Sequence, residues 1–280
     1  MIFSFFSKAN VLTKIKFFVS YKRYPMKKLV LLFSLVLFNK MEAHLWGKTG
    51  HQIIGEIAAT HLTPKAKKTI GFLLDGKSLA EVSTFADALK SEARYDSIKA
   101  WHYINLPTHF SRDSLAFQKS PNVVTAIAHC QKILTDKQAS AEEKAFFLKL
   151  LIHFVGDLHQ PLHVGRFEDR GGNTIRLRWE GKKTNLHRLW DSQLLGAVLK
   201  RKASSFSMPK LSKAKLKKVQ SSAVIDWVVE SHDLAQSIYK EAEATKALSS
   251  DYTFRNEAIV MAQLHKAGVR LAGMLNELFA

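Results

Sequence analysis

Three observations in this chain of 280 residues predict an all-α fold. Apolar residues recur at the 3.6-residue period through most of its length, only one stretch alternates with period two, and no Pro/Gly/Ser-rich linker breaks the pattern. With 46% hydrophobic residues the chain can bury one large core, so residues 46–280 read as a single multi-helix domain carrying one small β-hairpin.

Along the chain, helical periodicity marks residues 50–61, 64–74, 79–90, 121–135, 140–158, 186–199, 221–247 and 251–279. The 140–158 segment is the best defined. Ser140-Ala-Glu-Glu143 reads as a capping box, Phe146, Phe147, Leu150, Leu151, Phe154, Val155 and Leu158 form the buried stripe, and Pro161 stops the helix. In residues 174–179, Ile175, Leu177 and Trp179 alternate with Thr174, Arg176 and Arg178, and Gly181 turns the chain into a short return strand at 183–185. Residues 200–218 crowd Arg201, Lys202, Lys210, Lys213, Lys215, Lys217 and Lys218 around Met208-Pro209. They read as a solvated loop leading into a helix, with a nucleic-acid contact as the alternative.

Residues 1–45 differ in kind. Met26-Lys27-Lys28 makes a basic start, Leu29 to Phe38 is an apolar run with one Ser, and small or polar residues follow to Ala43. This is the layout of a secretory signal peptide, and the run is too short to span a bilayer. The basic, aromatic stretch ahead of it points to Met26 as the true start, and an anchor made by the whole segment is the alternative. An exported, secreted or periplasmic protein is therefore expected. The formal charge is +18; residues 1–45 hold eight Lys/Arg and one Asp/Glu, leaving 34 basic and 23 acidic side chains, or +11, for the remainder. Such an excess favours a polyanionic partner but also serves solubility. Cys130 is the single cysteine, which excludes an internal disulfide framework, and its neighbours Ile127 and Ile133 make it a core residue.

The chemistry is concentrated in Leu-Ile-His-Phe-Val-Gly-Asp-Leu-His-Gln-Pro-Leu-His, residues 151–163. His153 and Asp157 stand one helical turn apart on one face, beside the apolar stripe rather than on a solvated surface. The spacing returns at His187 and Asp191, with His159 and His163 between the two pairs. Imidazole with carboxylate suits zinc, and two pairs point to more than one ion. Trp46, His51, Asp87 and His102 are weaker candidates singly. Asp87 has the look of a helix-surface carboxylate, His51 of an ordinary first-turn residue, and His102, between Trp101 and Tyr103, of a core histidine.

Taken together and in order, these pieces resemble the S1/P1 nuclease family of zinc-dependent, single-strand-preferring nucleases, and more distantly the zinc-dependent phospholipases C that share its fold. The resemblance covers nearly all of residues 46–280. It rests on Trp46-Gly47 with His51 five residues on, the block from His153 to His163, the Gly171-Gly172-Asn173 turn, and Asn185-Leu-His187 with Asp191. It implies three zinc ions. Asp87, His102, His153 and Asp157 would hold one, and Asp157 would bridge to a second completed by His51 and by the amino nitrogen and carbonyl oxygen of Trp46. His163, His187 and Asp191 would hold a third, while His159 is left as a residue behind the ligands or at the surface. Trp46 can ligate through its amine only as a chain terminus, which requires cleavage after Leu45; Ala43 suits the −3 position, whereas Leu45 at −1 departs from the usual small residue.

The same resemblance implies phosphodiester hydrolysis to 5′-phosphorylated products, with 3′-nucleotidase activity. Ions bridged by Asp157 would acidify a shared water to hydroxide, and the set would spread charge on the phosphate and the leaving 3′ oxygen. Where family members carry an arginine three residues after the aspartate matching Asp87, this chain has Lys90, which keeps the charge without the bidentate fork; Arg94 is the other candidate for that task. Tyr103 would stack an unpaired base, with ordinary core packing as its rival reading. Asn105 stands where fungal members have a base-reading aspartate, and with Asn173 would bond a base edge. Single-stranded DNA or RNA and nucleotides are the expected substrates of a monomer with no stable protein partner and no membrane association after signal removal. A phospholipase C, or a non-catalytic zinc protein that binds polyanions, are the rival functions.

Overall fold

The computed structural model describes residues 46–117, 120–202 and 207–280. The expected signal peptide at 1–45 lies outside them, and no described helix is long and apolar enough to cross a membrane.

A single wide turn, Trp46–Gly50, runs directly into α1, His51–Thr60. Thr63 caps α2, Pro64–Leu73, its hydroxyl accepting from the Ala66 N–H with Pro64 at the first turn. The helix expected over 79–90 is two: α3, Leu79–Val82, opened by a Ser78/Glu81 capping box, and α4, Phe85–Leu89. The break falls at Ser83-Thr84, where the Ser83 hydroxyl donates to the Ala80 carbonyl, an alternative that short hydroxyl side chains offer against helix continuation. A tight 3-10 segment, Ala93–His102, follows; its periodicity is too poor to read from sequence.

Asn122 caps α5, Val123–Thr135, and Ser140 caps α6, Ala141–Leu158, by accepting from the Glu143 N–H at 3.1 Å, which is the serine half of the expected capping box without the glutamate's return bond. Every α6 residue from Leu150 to Leu158 is buried, so the expected stripe widens into an all-round core helix over its last two turns. It packs chiefly on α5, and also touches α1 and α4. Cys130 of α5 lies in the core as expected, and burial pushes its thiol well above the usual range. A one-turn 3-10 helix, Pro161–Val164, ends the segment.

The hairpin forms from β1, Arg176–Trp179, and β2, Lys182–Asn185, antiparallel with Arg176 opposite Asn185 and Arg178 opposite Lys183. A third strand, β3, Ala247–Leu248, pairs parallel to β1; two residues carry no readable alternation, so sequence reasoning ran the 221–247 helix through it. The helix expected over 186–199 consists of α7, Leu186–Arg188, a wide turn, Leu189–Gln193, and α8, Leu194–Arg201. Within the lysine-rich stretch, Lys213–Gln220 forms α9, solvated and capped by Ser212. The long α10, Val224–Ala244, and α11, Ser250–Leu278, complete the layers, α11 lying along α1 and α9.

Candidate metal centre

His153 and Asp157 do share one face of α6, and both are buried. The His153 Nε2 atom is 3.1 Å from Asp157 Oδ2, and its Nδ1–H donates to the Ser83 carbonyl at 2.7 Å. The break between α3 and α4 therefore supplies the acceptor that fixes the tautomer, leaving the Nε2 lone pair aimed inward. His102, delivered by the end of the 3-10 segment, sets its Nδ1 atom 2.8 Å from Asp157 Oδ2 and 3.1 Å from His153 Nε2. Asp87 reaches in from α4, its Oδ1 atom 3.6 Å from His153 Nε2 and 3.9 Å from His102 Nδ1. His51 arrives from the first turn of α1 with Nε2 3.5 Å from Asp157 Oδ1. His51 does open its helix and His102 is buried, but both, with Asp87, turn ring or carboxylate atoms toward the His153/Asp157 pair, so Asp87 is not an isolated surface carboxylate.

A second cluster adjoins the first through Asp157. His163 Nδ1 lies 3.1 Å from Asp157 Oδ1, though without hydrogen-bond geometry, and His163 Nε2 is 3.5 Å from Asp191 Oδ1. The His187 ring stacks parallel to His163 at 5.2 Å, and its Nδ1–H donates to the Gly171 carbonyl at 2.8 Å. That carbonyl is presented by the glycine turn. Gly171 and Gly172 have φ of +64° and +82°, and a β-carbon on Gly171 would come within 2.4 Å of the Leu162 carbonyl oxygen, so only glycine fits. Asp169 locks the turn, its carboxylate accepting from the Gly172 N–H at 2.6 Å and from the Tyr239 hydroxyl at 3.0 Å.

The electrostatics favour positive charge at the centre. Burial works against the charged forms of His153 and His163, but the Asp157 carboxylate outweighs it, raising His153 and holding His163 up at about 10. Burial pushes His102 down to about 4 and, with the charge of His153, lowers His51. Desolvation opposes ionisation of Asp157, yet the surrounding imidazoles carry it well below the usual carboxylate range. His51 Nδ1, His102 Nε2 and His163 Nδ1 are buried with no hydrogen-bond partner. Orphaned imidazole nitrogens beside ionised carboxylates fit a divalent metal, and the nitrogen and oxygen donor set suits zinc. Among the described residues, three groups have donor atoms within 4.8 Å of one another: His51, Asp87 and His153; His102, His153 and Asp157; and His163, His187 and Asp191.

A cleft of about 730 Å³ opens on the second and third of these groups through His102, His163 and His187, and is also lined by Lys90, Tyr103, Asn105 and Asn173. Tyr103 is 44% exposed there, which rules out its core-packing reading. Lys90 holds Asp87 Oδ1 at 2.7 Å, whereas Arg94 pairs with Glu92 and lies over the Tyr95 ring, away from the cleft lining. His159 is neither a surface residue nor in any of the three groups. It is buried, bonded to the Val155 carbonyl and to Arg270, and packed on Trp227. Trp46 opens the turn preceding His51, and that turn packs against Leu189–Gln193, which carries Asp191.

A family profile described as S1/P1 Nuclease matches residues 46–280. The chain belongs to the S1/P1 nuclease family. It is 30% identical over 273 residues to Endonuclease 4 of Arabidopsis thaliana, covering 84% of this chain and 89% of that protein. Endonuclease 2 of the same plant is 30% identical over 284 residues, covering 87% and 94% respectively. Nuclease P1 of Penicillium citrinum is 32% identical over 164 residues, covering 53% and 58%. The helical architecture with a single small sheet is that of the P1 nuclease type, and this S1/P1 member is a nuclease of a metal-dependent family.

Three contributors escaped the sequence reading of this S1/P1 chain. Ser83 acts through its backbone carbonyl, which no residue pattern reveals. Phe167, 76% exposed, lines the cleft beside Tyr103's side of the centre, and only its exposure marks it. Gln160 donates through Nε2 to Asp191 Oδ1 at 3.4 Å while its Oε1 accepts from the Leu162 N–H, two hydrogen bonds that tie site to backbone and are concealed within the Gln-Pro motif.

Proposed function

We propose that this nuclease is a zinc-dependent endonuclease that cleaves single-stranded DNA or RNA to 5′-phosphorylated products and also acts as a 3′-nucleotidase. The single observation that carries the reading is the sharing of Asp157, whose two oxygens face His102 and His153 on one side and His51 and His163 on the other. Asp87, His102, His153 and Asp157 would hold one ion, Asp157, His51 and the terminal amine and carbonyl of Trp46 a second, and His163, His187 and Asp191 a third. Bound there, the ions supply Lewis acidity toward the phosphodiester and its attacking water. Leu45–Trp46 cleavage on export makes the Trp46 amine available, in keeping with a secreted or periplasmic monomer.

The chain's own residues do the rest. Lys90, fixed by Asp87 and kept protonated because the charges of Asp157 and Asp87 outweigh its burial, offers a cation to the phosphate. Tyr103 and Phe167 offer ring faces that a splayed, unpaired base can stack on and a paired base cannot. Asn105 and Asn173 present amide edges to that base. Asp157→Asn tests the proposal: metal content and cleavage of single-stranded DNA fall together, and full activity in a metal-free variant overturns it. Phosphatidylcholine serves as the parallel substrate, and its preferential hydrolysis would instead favour the phospholipase reading.

A further inference from the structure

Away from the histidines, a groove of about 790 Å³ lies over the small sheet. Its ten lining residues include Arg176, Arg178, Lys183, Arg188 and Lys246, and no carboxylate. The register explains the concentration of charge. Arg176 and Arg178 alternate with buried Leu177 and so share one face of β1, and Lys183 of β2 stands directly opposite Arg178. Like charges opposed across a strand pair destabilise it, so this arrangement costs stability unless an anion lies over it. On the other side of β1, the residue before β3, Lys246, accepts at its carbonyl from the Arg178 N–H at 2.7 Å, so the cations flank the central strand from both sides.

The groove also has a fixed relation to the cleft. Asn185 lines the groove and caps α7, accepting from the Arg188 N–H at 2.7 Å. Within that one turn, Arg188 lines the groove and the adjacent residue His187 lines the cleft, so the two cavities lie within one residue of each other along the chain. We infer that this groove is a second binding site that carries the phosphodiester backbone of a single-stranded nucleic acid beyond the nucleotide being cleaved. The inference rests on the nuclease reading for its ligand class. Base identity is irrelevant to it, because the cations meet phosphates, and its energy is that of counterion release.

The test pairs two substrates with one variant of the metal-loaded protein, Arg176→Glu with Lys183→Glu and Lys246→Glu. These exposed side chains lie outside the candidate metal groups, and a thermal melt checks that the fold survives. Binding is read by fluorescence anisotropy on a cleavage-resistant phosphorothioate single strand of about thirty nucleotides, across a range of salt. Cleavage is read on a dinucleotide, whose single phosphodiester is the bond being cleaved and leaves no further backbone for the groove to hold. The expected result is a Kd for the long strand raised at least about tenfold, a log Kd against log salt slope shallower by roughly 2 for three lost phosphate contacts, and unchanged dinucleotide turnover. A charge-preserving variant, Arg176→Lys with Lys183→Arg and Lys246→Arg, restores the wild-type slope. Equal Kd and slope in the wild type and the charge-reversed variant overturn the groove. A wild type that leaves the dinucleotide intact overturns the nuclease reading instead, and the groove is still judged by the binding arm.

Discussion

His51 lies face to face with His153, ring centroids 3.9 Å apart and planes within 18°. Two stacked, buried imidazoles cannot both carry a proton cheaply, and the pair divides accordingly: His51 is pushed down by burial and by His153, while His153 is raised by Asp157 against its own burial. The stack exists because α6 carries Gly156 beneath it. A β-carbon there would stand 2.6 Å from His51 Nδ1 and 2.8 Å from Cε1.

Gly156→Ala should therefore tilt His51 out of the cluster while leaving α6 intact, since alanine is the better helix former. The expected outcome is loss of part of the bound metal and at least about tenfold of the cleavage rate, with a thermal midpoint near that of the wild type. Metal analysis beside a melting curve checks it; unchanged metal content with full activity would show that the ring accommodates the methyl group.

The glycine turns separate conformational cost from collision. Gly171 and Gly181 both have positive φ, +64° and +76°, yet a β-carbon on Gly181 meets nothing within 4 Å and one on Gly171 meets the Leu162 carbonyl. Gly181→Ala should cost about 1 kcal/mol, the price of the left-handed backbone alone. Gly171→Ala should cost about 3 kcal/mol or more, and should also loosen His187 by moving the carbonyl it bonds. Urea unfolding of the two variants gives the comparison, and equal losses would refute the steric account.

Lys90 gives a kinetic prediction. Lys90→Ala removes the cation nearest Asp87 and should lower kcat by about 10- to 100-fold, in keeping with a hydrogen bond to a charged group worth roughly 1.5–3 kcal/mol. Lys90→Arg should keep turnover at or above the wild-type level, because a guanidinium restores charge and adds a second donor. An alanine variant with undiminished kcat would remove Lys90 from the reaction.

Glu230 supplies a pH dependence outside the candidate metal groups. Burial opposes its ionisation, but bonds from Arg270 at 2.8 Å and Lys266 at 2.9 Å prevail and lower its pKa. A carboxylate depressed in the folded state stabilises fully above its unfolded pKa and loses that contribution as pH falls through the folded one. Glu230→Gln should thus cost roughly 1–2 kcal/mol at pH 7, a figure reduced by the partial exposure of the pair, and progressively less as the pH falls below the ordinary glutamate range. Unfolding free energies of both proteins from pH 7 downward provide the check, and a difference that does not shrink would refute the pairing.

What could be read in the residues alone follows their physics. The 140–158 helix was legible to its cap because Ser140, the apolar stripe and Pro161 are local signals, and the His153/Asp157 and His187/Asp191 pairs were legible because four-residue spacing means one face. The break at Ser83-Thr84 was not, since a periodic pattern runs through it and the deciding bond, from His153 to the Ser83 carbonyl, joins residues 70 apart. β3 escaped for want of length. The choice between a buried and a surface His159 was not legible, because its neighbourhood in sequence is the metal motif whereas its partners are Arg270 and Trp227, over a hundred and 68 residues on. Gly156 was quoted in the motif without a task, because its task is to leave room for a ring from another helix.

The ties across the centre are long in sequence: His102 meets Asp157 across 55 residues, and Gln160 meets Asp191 across 31. Contacts of that span form only after the intervening loops have closed, an entropic cost met late rather than early in folding. No fragment of the chain holds the pieces by itself. The shared Asp157 is thus a checkpoint in assembly, where α1, α4, the 3-10 segment and α6 must all have docked before any one of them has a ligand set to offer.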